Sequence, residues 1–197
     1  MSSLFFRIEF DGPSRILRLT SPDGTNRITR ACVLALTVAI AELKKQLRPL
    51  IIEGNRQFFS VGADLNEIAA LTLCGPEAYE FSAMGQALMN SIASYPVPVI
   101  AAIEGHCMGG GLDLALACHR RIAAPRAVFG HRGAALGLIT GWGGTQRLPR
   151  LIGKSRALEL FIAAETIPAA RALEIGMVDA IADDPVAEAL RQLRPPR

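Results

Sequence analysis

Three consecutive glycines, Gly109, Gly110 and Gly111, stand in the stretch EGHCMGGGLDLALAC (residues 104–118), and one acid, Asp113, follows them at the start of an apolar helical run. The first N–H groups of a helix have no intrahelical partner and lie at the positive end of its dipole. Without a Cβ in the way, such groups can approach an anion or a polarised carbonyl closely. A tight strand-to-helix turn packed against a sheet would use the same glycines, so the triplet alone leaves both readings open. A second stretch, FFSVGADL (58–65), also follows an apolar strand and bares backbone around Gly62 and Ala63 before a helix. One N–H from each loop on a single oxygen would form an oxyanion hole for acyl chemistry. Losing one donor of such a pair typically costs ~2.7–4 kcal/mol in the transition state.

Other groups that could do chemistry are fewer. The cysteines, Cys32, Cys74, Cys107 and Cys118, form no CxxC pair and read as reduced, mostly buried thiols. Only His106, His119 and His131 could join them, so no metal site is expected. His119 lies past a helix end and reads as structural, and His106 belongs to a loop. GKS (153–155) lacks the glycine a phosphate-binding loop requires, because Leu148 stands there. Ser60 has no GxSxG setting, which argues against a serine hydrolase. Trp142 reads as packing or as a pocket wall.

These residues need a frame to position them. FFRIEFDG and SRILRLTSP alternate apolar and polar residues as two strands joined by a Gly-Pro turn would. Thr29 caps an amphipathic helix expected to run to about Leu47, ended by Pro49. PLIIEG and VPVIAAIEG are wholly apolar, the pattern of strands buried on both faces. Between them, NRQFFSVGADLNEIAAL runs from loop to helix and GPEAYEFSAMGQALMNSIASY is a longer helix stopped by Pro96. The triplet opens a helix over 111–118. RRIAAPRAVFGH gives two more strand pieces, KSRALELFIAA and PAARALEIGMV two helices, and a brief tail helix precedes RPPR. Strands alternating with helices define an α/β protein. With no internal repeat or composition break, residues 1–197 read as a single domain.

Half of the 197 residues are hydrophobic and a fifth charged, which excludes a disordered chain. The net charge of +3 is too small for a nucleic-acid-binding face and modestly favours a small anionic ligand. Arg7 and Glu9 interrupt the apolar start, so no signal peptide is expected. The longest apolar run, residues 31–43, falls short of the ~20 residues of a membrane helix. A cytoplasmic protein without membrane or nucleic-acid partners is the expectation.

Several segments together carry a resemblance. FFSVGADLNEI, PVIAAIEGHCMGGGLDLALAC, FGHRGAALGLITGWGGTQRLPRLIGKSRALEL and ALEIGMVD resemble, in order and interval, the enoyl-CoA hydratase/isomerase (crotonase) superfamily from about Ile16 to Asp179. The resemblance implies a spiral of repeated ββα units over about 1–150 and a helical end over about 151–197. That end lacks most of the family's C-terminal helical region. It implies an enzyme acting on acyl-CoA thioesters, stabilising their enolates without a separate cofactor, coenzyme A being part of the substrate. It also implies a homo-oligomer, trimer or hexamer. By motif position, Ala63 and Gly110 match the two oxyanion-hole donors. Asp64, Leu65 and Asn66, with Ala63, fall where the family holds the thioester and pantetheine end.

The acid–base positions depart from the family pattern. The first family glutamate corresponds to Asp113, whose place in the first helical turn favours its ionised form and suits a base. An acid there is equally ordinary helix stabilisation. The second corresponds to Gly133, which has no proton to move, and a further acid of some relatives corresponds to Gly141. His131, two residues earlier on an expected strand, would share a face with position 133 and could transfer a proton there. A buried structural histidine is the competing reading. Arg132 would point away, to solvent or to a phosphate. Two functions follow: an acyl-CoA enzyme with Asp113 as proton-transfer group, or a degenerate relative that binds acyl-CoA or a protein partner without turnover.

Overall fold

The computed structural model describes residues 3–71 and 75–194. β1 (Phe6–Asp11) and β2 (Ser14–Leu19) form the expected antiparallel hairpin, turning at Gly12. α1 (Arg30–Leu43) starts where Thr29 accepts a hydrogen bond from the Cys32 amide, but stops before Leu47. Its last turn tightens, and the Leu43 carbonyl accepts from Arg15 and from the Tyr95 hydroxyl rather than continuing the helix ladder.

From there the chain winds through a repeating cycle. β3 (Leu50–Glu53) leads to β4 (Phe58–Ser60) and then to α2 (Leu65–Ala69) and α3 (Pro76–Ala93). β5 (Val99–Ile103) leads to β6 (His106–Met108) and α4 (Gly110–Ala117). β7 (Arg120–Ala123) leads to β8 (Val128–Gly130), a 3-10 turn (Gly133–Leu136), α5 (Gly144–Ile152) and α6 (Lys154–Ala163). The first strand of each cycle joins one sheet and the second joins another, so the sheets grow together in the orders β1-β2-β3-β5-β7 and β4-β6-β8. This is the expected spiral of ββα units.

The final segment corrects the expectation of a purely helical end. β9 (Thr166–Pro168) pairs antiparallel with β8, and after α7 (Ala169–Glu174) the two-residue β10 (Ala180–Ile181) pairs with β7. Strands this short carry no readable periodicity. α8 (Pro185–Leu193) then packs Ala189 onto Ile16, Ile51, Ile100 and Ile122 of the first sheet. The other face of that sheet meets the main core, so β3 and β5 are buried on both sides, as their uninterrupted apolar runs require.

Arg121 locks β7 to the chain end. It is 3% exposed and donates to the carbonyls of Met177 and Cys118 and to the carboxylate of Asp179. Arg121→Ala would strand those buried carbonyls at ~1–3 kcal/mol each. Urea unfolding is expected to show a loss of about 3 kcal/mol, and a loss under about 1 kcal/mol would mean that water replaces the guanidinium.

Candidate active site

A cavity of about 460 Å³ opens where the starts of α4 and α5 meet the loops after β4 and β8. Ala63, Gly110, Asp113, His131, Thr140 and Trp142 line one side, and Leu65, Ile68, Phe81, Leu136, Leu138 and Ile139 supply an apolar wall.

Each glycine of the triplet has its own reason. Gly109 caps α4 at φ +50°, a conformation that side chains resist. A Cβ on Gly110 would lie 2.5 Å from the Trp142 ring, and one on Gly111 2.6 Å from the Ser60 Cβ. The turn is tightly packed, and it also bares an amide. Among the described residues, neither the Ala63 nor the Gly110 N–H donates a hydrogen bond to the protein. Ala63 sits in an isolated parallel bridge with Ile28, whose bonds run through the Gly62 carbonyl and the Asp64 amide, leaving its own amide turned away. The Ser60 hydroxyl fixes that loop by accepting from the Gly62 amide and donating to the Asn26 carbonyl. The two free amides are neighbours: a Cβ on Gly110 would stand 3.2 Å from the Ala63 nitrogen.

Asp113 lies on the cavity wall with its side chain 1% exposed. Its position in the first turn of α4 led to the expectation of a favoured carboxylate; burial reverses this, raising its pKa to about 6. The Thr140 hydroxyl, the Arg147 charge and the backbone of Trp142 and Gly144 offset burial only in part. Thr140 Oγ1 donates to one carboxyl oxygen, Oδ2. The other, Oδ1, faces His131 Nε2 at 3.4 Å and the bare backbone of Gly144, where a Cβ would lie 2.2 Å away. Both Oδ1 and Nε2 are buried and have no hydrogen-bond partner.

His131 reaches this place by a route different from the one expected. β8 stops at Gly130, so His131 and Gly133 share no strand face. Burial lowers the His131 pKa to about 4, and its ring packs 5.3 Å from that of Phe161. Gly133 opens the 3-10 turn, closed by the Leu138 amide donating to the Gly133 carbonyl, and a Cβ there would meet the Leu138 carbonyl at 2.8 Å. The position is closed to a side chain as well as lacking one.

The remaining candidates divide. Leu65 lines the cavity, whereas Asp64 and Asn66 do not. The Asp64 carboxylate caps α2, accepting from the Asn66 and Glu67 amides and pairing with Arg27 at 3.3 Å, and Asn66 is exposed. Arg132 is exposed at the cavity rim. His119 is structural, accepting from the Val99 amide. His106 lies on β6 rather than in a loop, exposed beside Phe58. Trp142 is a buried wall, edge-on to Phe81. Cys32, Cys107 and Cys118 are buried free thiols, and Cys74 lies outside the described residues. No group of three or more potential metal ligands occurs among the described residues. No described helix is long and apolar enough to cross a membrane.

Sequence reasoning missed Thr140 and Arg147, both brought to Asp113 by α5 and the loop before it. The signal available was the doublet Gly143–Gly144 ahead of TQRLPRLI, a second glycine-led helix start.

A two-sheet ββα spiral with its cavity at glycine-led helix starts is the crotonase architecture. The family model for enoyl-CoA hydratase/isomerase matches residues 15–194, and the chain belongs to that family. A probable enoyl-CoA hydratase of Bacillus subtilis is 48% identical over 139 residues, covering 70% of this chain and 53% of its own length. The chain thus spans about half the length of that curated relative. The structure of an enoyl-CoA hydratase from Bacillus anthracis superposes with a TM-score of 0.89 at 31% identity, over 96% of this chain and 75% of its own. DspI of Pseudomonas aeruginosa gives 0.91 at 31%, over 98% and 74%.

Proposed function

We propose that this chain binds an acyl-CoA thioester in the cavity and stabilises its enolate between the Ala63 and Gly110 amides, with Asp113 as the proton-transfer group and His131 beside it. One observation carries the reading: two neighbouring amides without protein acceptors open on the same cavity as a buried carboxyl of raised pKa. An oxygen gaining charge there would meet two donors already in place, at no cost of reorganisation. The apolar wall suits an acyl chain, and of the Ala63–Asn66 segment expected at the pantetheine end, Ala63 and Leu65 line the cavity. No separate cofactor is required by this chemistry. Assembly as a trimer or hexamer in the cytoplasm belongs to the same proposal.

A second reading, a binder without turnover, is favoured by the closed position at Gly133, since water addition that relies on two carboxylates has only one here. Incubation with enoyl-, dienoyl- and malonyl-type CoA esters separates the two. Turnover supports the enzyme, tight CoA binding without turnover supports the binder, and no binding overturns both.

A further inference from the structure

The acyl-CoA reading leaves open how a carboxyl sealed from solvent exchanges a proton with a ligand. Oδ1 is enclosed by the His131 imidazole and the Gly144 backbone, and Oδ2 is covered by the Thr140 hydroxyl. Thr140 itself is half-buried and lines the cavity. From these contacts, and resting on the proposed function above, we infer that Thr140 is a catalytic residue: its hydroxyl stands between Asp113 and the thioester and relays the proton.

The step balances without a co-reactant. As the α-carbon C–H bond breaks, its electron pair moves into the enolate, whose oxygen lies on the Ala63 and Gly110 amides. The released proton passes to Thr140 Oγ1 while the hydroxyl's own proton passes to Asp113 Oδ2, so one negative charge moves from carboxylate to enolate. Reversal delivers a proton to the same or a neighbouring carbon. His131 faces the oxygen that the relay does not use, and its burial keeps the imidazole neutral through the neutral range.

The test is deuterium exchange at the α-carbon of butyryl-CoA in D2O, a partial reaction that needs the enolate and the base alone. Wild-type protein is expected to exchange. Thr140→Val should lower the exchange kcat by about 50-fold or more with KM within about twofold, because the hydroxyl acts on the proton and not on binding. Thr140→Ser should keep the rate within about fivefold. The charged and titratable groups around Asp113 are His131 after β8, Arg147 on α5 and Cys107 on β6. With these unchanged, loss of the Thr140 hydrogen bond should move the pH midpoint of residual exchange above about 6. Should Val fail to pack, Thr140→Ala removes the same hydroxyl without added bulk. Exchange in Thr140→Val at the wild-type rate overturns the relay and leaves the proposed function standing. No exchange in the wild type overturns both.

Discussion

Asp113→Asn is expected to abolish α-proton exchange and turnover, by about 10³-fold at pH 8, in keeping with the 10²–10⁴ that positioned acid–base groups contribute. The amide preserves the shape, accepting from Thr140 and donating toward His131, but takes up no proton. Burial is the main reason the native carboxyl titrates near 6, so wild-type exchange should fall as the pH drops through that value and the carboxylate disappears. The stability effect has the opposite sense and serves as a control. A carboxyl whose pKa is raised on folding stabilises the native state fully below its unfolded value of 3.8, and this contribution declines as pH rises through about 6. Asn carries no such decline. Thermal unfolding at pH 8 should therefore find Asp113→Asn at least as stable as the parent, separating lost chemistry from lost structure. An active variant at pH 8 would remove Asp113 from the mechanism.

Gly110→Ala should cost about 10²–10³ in the rate of the same exchange, the scale of losing one oxyanion donor. The added methyl would lie 2.5 Å from the Trp142 ring and 3.2 Å from the Ala63 nitrogen. It forces the indole back and fills the gap in which both amides would meet an oxygen. Pairing it with Trp142→Phe relieves the first contact and leaves the second. The double variant is expected to regain stability in urea without regaining rate. Binding of free coenzyme A, which places no oxygen at the amides, should be little changed. Wild-type exchange by Gly110→Ala would show that the two amides do not hold the substrate oxygen.

Much of the frame was legible because its signals are local. Alternation marks β1 and β2, unbroken apolar runs mark β3 and β5, Thr29 marks the start of α1, and the triplet marks α4 within one residue. β4, β6, β9 and β10 escaped because two or three residues hold no period, and their pairing depends on partners distant in the chain. α5 was missed as well, its one local signal being a second glycine-led helix start at Gly143–Gly144. Expecting His131 to share a strand face with Gly133 failed because β8 ends one residue before the histidine.

The sequence alone determined which backbone is bare and which acid follows it, since a missing Cβ and a carboxyl's place in a helix are properties of neighbouring residues. Only the tertiary structure decided that the Asp113 carboxyl holds its proton more tightly than a surface acid, and that Thr140, 27 positions along the chain, covers it. Protonation depends on the solvent and charge that surround a group, and folding supplies both from chain segments that no local pattern links.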